Sequence, residues 1–167
     1  DSLPRVRRIP TSTAHLVYLI EELLAYARLE AGHEELRMQE TDAAAIAREV
    51  AAVVERLASE RGLAFALQLE REPIPMCTDP DRLRQVLLNL VGNAIKYTER
   101  GWVRLELEAS DEDEVVFSVC DSGVGIRPED LERIFEPFWQ ADAGQRTREG
   151  GTGLGLSVVQ GVVKMLG

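Results

Sequence analysis

The spacing of apolar residues along the 167-residue chain predicts a series of helices. Residues 12–31 carry apolar side chains at every third or fourth position, on one face of a helix that ends at Gly32. Such a face cannot bury itself, so we expect this helix to pack on another element. Capping and stop signals bound the other helices. These are predicted from Thr41 or Asp42 to Arg61, from Asp79 and Pro80 through Ile95, over 128–135 and over 154–166.

Alternation of apolar and polar residues predicts strands between these helices. They cover 63–70, 102–109 and 114–120, and the polar residues 110–113 predict a hairpin turn between the last two. Pro73 and Pro75 are expected to break the chain after the first strand. The order of elements predicts an α+β fold in which helices cover one face of a mixed sheet.

Composition narrows the classes of partner. Nineteen Lys and Arg residues against 29 Asp and Glu residues give a formal net charge of −10. An acidic surface lacks the basic excess that binding to nucleic acid or an anionic membrane requires, so neither is expected as a partner. No apolar run approaches the roughly 20 residues that span a bilayer. Cys77 and Cys120 lie in apolar stretches and are expected to be buried free thiols of a cytoplasmic protein.

Two glycine-rich segments are candidates for binding a ligand that carries phosphate. Asp121–Gly125 (DSGVG) follows an apolar strand, and Gly150–Leu156 (GGTGLGL) precedes a helix. Glycine lets the backbone approach a ligand closely, and the start of a helix offers unpaired N–H groups to an anion. Each segment alone also fits an ordinary turn.

The third predicted helix carries a pair of asparagines. Asn89 and Asn93 are four residues apart, hence on one face, and Lys96 follows them. Asparagine is unfavourable inside a helix unless its side chain finds a partner. The pair therefore predicts a polar site, whose amide oxygens suit magnesium held by few protein ligands together with phosphates.

These segments resemble the four boxes of histidine kinases, in the family's order. They are the N box at Asn89–Thr98 (NLVGNAIKYT), the G1 box at Asp121–Gly125, the F box at Phe135–Phe138 (FEPF) and the G2 box at Gly151–Leu156. The resemblance covers nearly the whole chain from residue 12. It implies a two-layer α/β sandwich of the Bergerat type, shared with gyrase-type and mismatch-repair ATPases.

The resemblance implies a site for ATP and Mg²⁺. Asp121 would accept a hydrogen bond from the adenine amino group. Asn93, with Asn89, would hold magnesium, and Lys96 would reach the phosphates. Tyr97 would lie against the adenine, although an aromatic residue at a helix end is also typical of a core. The other implied nucleotide contacts are Gly123, Gly125, Gly151, Thr152, Gly153, Leu154 and Gly155.

Residues 139–150 would form a lid over the nucleotide. Arg148, which lies nearer the family's usual position than Arg146, would contact a phosphate, although both could equally be solvated. Trp139 would anchor the lid.

The resemblance also favours phosphate transfer over hydrolysis. In the hydrolytic relatives the residue four before the magnesium asparagine is a glutamate that activates water. Asn89 stands there and cannot accept a proton at neutral pH. The family's acceptor is a histidine on the first helix of a dimerisation hairpin. His15 lies in a segment that resembles the second helix, so we expect the chain to bind ATP without phosphorylating itself, and His33 to be an exposed loop residue.

The resemblance implies two domains and two partners. Residues 1–32 would be the remnant of the dimerisation domain, through which the parent protein forms a homodimer, and residues 33–167 would be the ATP-binding domain. The second partner would be the receiver domain of a response regulator. The two strands that follow the last helix in the family are not expected here.

Alternative functions stay open at this stage. An anti-sigma-type serine kinase has a related ATP fold, and a non-catalytic module could sense ATP without transferring phosphate. A gyrase-like ATPase is a third alternative.

Overall fold

The structure, a computed structural model, describes residues 20, 22–32, 35–109, 114–140 and 151–167. The helices are α1 (residues 22–30), α2 (Ala43–Glu60), α3 (Pro80–Tyr97) and α4 (Gly155–Leu166). The strands are β1 (Gln39–Asp42), β2 (Ala64–Leu69), β3 (Pro75–Thr78), β4 (Trp102–Ala109) and β5 (Val115–Asp121), and a 3-10 turn covers Pro128–Asp130.

The main sheet is mixed, as predicted. β4 lies in the centre, parallel to β2 and antiparallel to β5. Every second residue of β4 is buried beneath α2 and α3, namely Val103, Leu105 and Leu107. The helices therefore cover one face of the sheet, which confirms the predicted α+β sandwich.

Aspartates at the helix starts fix how α2 and α3 leave the preceding strands. Asp42 caps α2, and its Oδ1 accepts from the backbone N–H of Ala44 at 3.0 Å and of Ile74 at 2.9 Å. Asp79 caps α3 in the same way and also accepts from the backbone N–H of Arg37 at 2.8 Å. Each cap thus joins a helix to a segment distant in sequence.

A second, two-stranded sheet was missed by the sequence reading. β1 and β3 pair antiparallel, with Asp42 opposite Pro75. Pro75 begins a strand where we expected prolines only to break one, because a proline is tolerated at the first residue of a strand. Each strand has four residues, too few for alternation to stand out.

Two further predictions need correction. The helix predicted over 128–135 is only a 3-10 turn over Pro128–Asp130, followed by turns through residue 135. The cysteines are free, but their predicted burial is wrong, since Cys77 is exposed and Cys120 half-buried. Cys120 pairs with Arg104 on the face of the sheet that the helices leave open, and apolar neighbours in sequence point the other way along a strand.

The N-terminal helix packs on the rest of the molecule, as its apolar face required. Ala25, Tyr26 and Leu29 of α1 lie against a small cluster formed by α3 and α4. The buried members of this cluster are Val86, Val158, Val159 and Val162. The first part of the predicted helix, residues 12–19, lies outside the described residues. No helix within the described ranges is long and apolar enough to cross a membrane.

Candidate functional site

The second half of α3 carries four of the predicted ligand-binding side chains. Asn89, Asn93 and Lys96 are half-buried, which suits groups that face a cleft. Tyr97, the last residue of α3, keeps 45% of its surface exposed, so its ring is not a core residue. The Lys96 ammonium lies 5.1 Å from the centre of the Tyr97 ring.

The first glycine turn starts where β5 ends, at Asp121. The Asp121 carboxylate accepts from the backbone N–H of Gly123 at 2.7 Å and from the Thr98 hydroxyl at 3.5 Å, both through Oδ1. In the described part of the chain, no group donates to the other oxygen, Oδ2. Asp121 is exposed, so one oxygen is held by the protein and the second is open to a ligand.

Gly123 is the point where this turn meets α3. A Cβ on Gly123 would lie 2.6 Å from the Tyr97 carbonyl oxygen and 3.0 Å from Thr98 Oγ1. Because both distances are shorter than a normal contact, only glycine allows the turn to lie this close to the helix end. Gly125 differs, since its φ of +70° favours glycine but nothing lies within 4 Å of a Cβ there.

The second glycine turn lies against the same helix. A Cβ on Gly151 would be 2.7 Å from Lys96 Nζ, so the absence of a side chain makes room for the ammonium. Gly155 is the first residue of α4, and a Cβ on it would lie 3.8 Å from Asn93 Nδ2. Two residues of the predicted polar face of α3 thus lie against this turn, Lys96 at Gly151 and Asn93 at Gly155.

The middle of this turn is shaped by the F-box segment. Gly153 has a φ of +74°, and a Cβ there would lie 2.6 Å from the carbonyl carbon of Phe138 and 2.7 Å from the carbonyl oxygen of Trp139. Phe138, at φ 64°, is the one non-glycine residue of the described chain with a positive φ. Its N–H donates to the Gly153 carbonyl at 3.0 Å, and this bond holds the strained Phe138 against the turn.

Thr152 and Leu154 stabilise the start of α4. The Leu154 N–H donates to Thr152 Oγ1 at 3.1 Å. The Leu154 side chain is 1% exposed, so it belongs to the packing beneath the turn, and its N–H already has a partner. Leu154 is therefore placed less favourably for ligand contact than its neighbours.

Trp139, predicted to anchor the lid, is half-buried and lies with its ring 5.4 Å from the Arg133 guanidinium. The lid prediction itself, with Arg146 and Arg148, falls outside the described residues, as do His15, His33 and the turn at 110–113.

Sequence reasoning missed two residues of the site. Thr98 is 3% exposed and donates to Asp121, a role visible only once α3 and β5 are brought together. Glu22 of α1 accepts a hydrogen bond from the Thr152 hydroxyl, 130 residues away in sequence. No local pattern points to a contact of that separation.

Comparison with known proteins decides the family. The model of the histidine kinase-, DNA gyrase B-, and HSP90-like ATPases matches residues 78–167, more than half of the chain and all the glycine and asparagine elements above. The chain belongs to this family. Several relatives that match this chain are named as histidine kinases, so the chain is an ATP-binding catalytic domain of the histidine-kinase kind.

Among curated proteins, the hybrid signal transduction protein dokA of Dictyostelium discoideum is 36% identical over 174 residues. That match covers 100% of this chain but only 10% of the Dictyostelium protein. The chain thus spans a small part of a much longer relative.

Solved structures agree with this assignment. Full-length ShkA in complex with AMPPNP superposes with a TM-score of 0.82 at 36% identity, over 98% of this chain and 35% of ShkA. Histidine kinase ThkA in complex with the response regulator protein TrrA gives a TM-score of 0.75 at 26% identity, over 99% of this chain and 46% of ThkA.

Proposed function

We propose that this histidine-kinase catalytic domain binds Mg-ATP between α3 and the two glycine turns and transfers its γ-phosphate to a histidine on a dimerisation domain. The observation that carries the proposal is the convergence of both turns on α3. Gly123 meets the end of that helix at Tyr97 and Thr98, and Gly151 meets it at Lys96.

The first turn is suited to recognise the base. Asp121 keeps Oδ1 engaged with Gly123 and Thr98, which orients the carboxylate and leaves Oδ2 to accept from the adenine amino group. The exposed ring of Tyr97 would lie against the adenine, and Gly123 and Gly125 would let the backbone approach it.

The second turn is suited to hold the phosphates. Lys96 reaches Gly151, so its ammonium lies beside the turn that leads into α4. The backbone N–H groups at Gly153 and Gly155 belong to a helix start, where anions are favoured. Arg148 would add a positive charge from the lid.

The residues present fit magnesium in the manner of a phosphate-bound cation. Asn93 lies beside the start of α4, one turn from Asn89. Within the described ranges no group of three or more His, Cys, Asp or Glu could hold a metal without help, so phosphate oxygens would complete the ligand set. When bound, the ion would neutralise charge on the phosphates and favour their transfer.

Asn89 decides between transfer and hydrolysis. An amide cannot accept a proton from water, so this position lacks a base that would activate water against the γ-phosphate. Transfer needs mainly correct positioning and charge neutralisation, which Lys96 and the second turn would supply.

The proposal extends to the domains and partners of the parent protein. Residues 1–32 would belong to the dimerisation domain and 33–167 to the catalytic domain of a homodimeric, cytoplasmic kinase region. The structure of ThkA with a response regulator supports a receiver domain as the downstream partner.

The test is label transfer from γ-labelled ATP to a separate fragment that carries a histidine kinase acceptor helix. We expect label on the acceptor histidine and none on the chain alone. Asn93→Ala should lower the transfer rate about 100-fold, because misplacing the reacting phosphate costs roughly that much. Asp121→Asn should weaken ATP binding.

The matched control is Asp81→Asn, an exposed change in the first turn of α3 that should leave transfer unaltered. Stable label on His15 would contradict the prediction that this chain does not phosphorylate itself. Steady ATP hydrolysis, or tight binding of ATP with no transfer, would favour a gyrase-like ATPase or a nucleotide sensor respectively.

A further inference from the structure

The N-terminal helix places a carboxylate at the phosphate end of the candidate site. The Thr152 hydroxyl donates a hydrogen bond to Glu22 Oε2. The other oxygen, Glu22 Oε1, lies 3.4 Å from the point that a Cβ on Gly155 would occupy. One side chain of α1 thus binds Thr152 and lies close to Gly155, at the end of the turn that leads into α4.

That position favours an anion on physical grounds. Gly155 is the first residue of α4, a helix of 12 residues, and the N–H groups of its first turn point towards the turn before it. Asn93 Nδ2 is 3.8 Å from the same point on Gly155. Glu22 therefore stands beside the start of α4, where the proposed function places the phosphates.

Packing, as well as this contact, holds α1 in place. The Tyr26 ring meets the Phe138 ring edge to face, with centres 6.0 Å apart and planes at 68°. Leu29 lies against Gly161 of α4, with Cδ1 at 3.4 Å from the point that a Cβ there would take. The contacts of Tyr26 and Leu29 thus hold α1 in the position from which Glu22 reaches the turn.

We propose that Glu22 competes with the triphosphate for the turn at Gly151–Gly155, so that docking of α1 and binding of ATP oppose each other. The inference rests on the proposed function, since it needs phosphates at that turn. A carboxylate and a phosphate cannot share one set of donors, because the two negative charges repel at such short range. ATP must therefore displace Glu22 before its phosphates reach the α4 start.

Opposition of this kind is reciprocal. If docked α1 lowers the affinity for ATP by some factor, ATP lowers the fraction of docked α1 by the same factor. A movement of α1 imposed by the parent protein would then change how readily the domain loads ATP. The apparent dissociation constant is the intrinsic one divided by the fraction of molecules in which Glu22 has left the turn.

Ligands with and without phosphates distinguish this competition from a general effect of α1 on binding, because only a ligand with phosphates would meet Glu22. Adenosine would occupy the Asp121 end and leave the Glu22 contact intact. Isothermal titration of the whole chain with adenosine and with AMPPNP should therefore respond differently to Glu22→Gln. We expect the variant to bind AMPPNP about three- to tenfold more tightly, because a neutral hydrogen bond from Thr152 to Gln is weaker than the charge-assisted one to Glu22 by roughly that factor. Adenosine binding should not change.

Glu30→Gln is the matched control, because Glu30 is an exposed acid on the same helix. It should leave both affinities unaltered. Tyr26→Ala, which loosens α1 without removing the carboxylate, should also strengthen AMPPNP binding. As a second readout, backbone hydrogen exchange in residues 22–30 should be faster with AMPPNP than with adenosine.

The contrary results are distinct. An equal gain for adenosine and AMPPNP would mean that Glu22 acts through packing alone and would overturn the competition. Weaker AMPPNP binding by Glu22→Gln would make Glu22 a ligand rather than a competitor. Failure of the unaltered chain to bind AMPPNP would instead contradict the proposed function.

Discussion

The two glycine turns reach the same helix by different means. The turn at Asp121–Gly125 is closed by its own residues, since Asp121 accepts from Gly123 two residues later. The turn at Gly151–Gly155 is shaped by groups from far away in sequence, and these are Lys96, Phe138 and Glu22.

This difference indicates separate tasks. A turn held by local bonds and by one helix end keeps a fixed shape, which suits recognition of a rigid base. A turn held by a lysine ammonium, an F-box backbone and an α1 carboxylate changes whenever one of those neighbours moves. We therefore expect base recognition to be insensitive to α1 and phosphate binding to depend on it.

The largest effect is expected from Gly153→Ala. A methyl group there would meet the backbone of Phe138 at 2.6 Å and of Trp139 at 2.7 Å, and the φ of +74° disfavours any side chain. We expect a loss of about 3 kcal/mol in unfolding free energy, from strain and overpacking together. Urea unfolding measures it, and binding of AMPPNP should fall more than binding of adenosine.

Gly125→Ala is the control for that variant, because Gly125 has a similar φ of +70° but open space around it. Its cost should be strain alone, about 1 kcal/mol. Equal costs at the two glycines would show that contacts from Phe138 and Trp139 do not shape the second turn.

A side chain that blocks the close approach of the first turn to α3 should weaken binding of both ligands, whereas Gly153→Ala should affect mainly AMPPNP. Gly123→Ala would place a methyl group 2.6 Å from the Tyr97 carbonyl oxygen. We expect a loss of about 2 kcal/mol and weaker binding of adenosine and AMPPNP alike. Thermal unfolding and titration would measure both effects.

Gly92→Ala, in α3 with nothing within 4 Å of the added methyl group, should instead stabilise by roughly 0.5–1 kcal/mol. A neutral Gly123→Ala would contradict the close contact.

A smaller effect is expected at Asp79, which supports both turns through α3. Burial raises the pKa of Asp79, but backbone N–H donors from Arg37, Arg82 and Asp81 outweigh it and hold this pKa below the ordinary 3.8. The carboxylate therefore stabilises the fold above pH 3.8, and this contribution is lost as pH falls through the lower folded-state pKa.

Asp79→Asn should cost about 1 kcal/mol near neutral pH. The difference from the unaltered chain should shrink in acid, as urea midpoints across pH would show. Because Asp79 caps the start of α3, at the opposite end of this helix from both turns, any loss of binding should be equal for adenosine and AMPPNP. A difference that stays constant through acid, or a matching difference in the exposed Asp81→Asn, would contradict the assignment.

Much of the fold could be predicted because its signals are local. The caps at Asp42 and Asp79 and the alternation of buried and exposed residues in β4 each depend on only a few neighbouring residues. The pairing of β1 with β3 was missed because two four-residue strands leave little pattern. The burial of the cysteines was predicted wrongly because apolar neighbours do not reveal which face of a strand a side chain takes.

The sequence alone determined the family, the order of its boxes and the side chains proposed to bind ATP, since glycines, asparagines and a lysine at these spacings carry their chemistry locally. Only the tertiary structure decided that Thr98 orients Asp121, that Gly151 receives Lys96 and that Glu22 contacts Thr152. Each of these contacts joins segments whose separation is set by packing of α1, α3 and α4. Packing depends on shape and on many side chains together, so no short pattern encodes it.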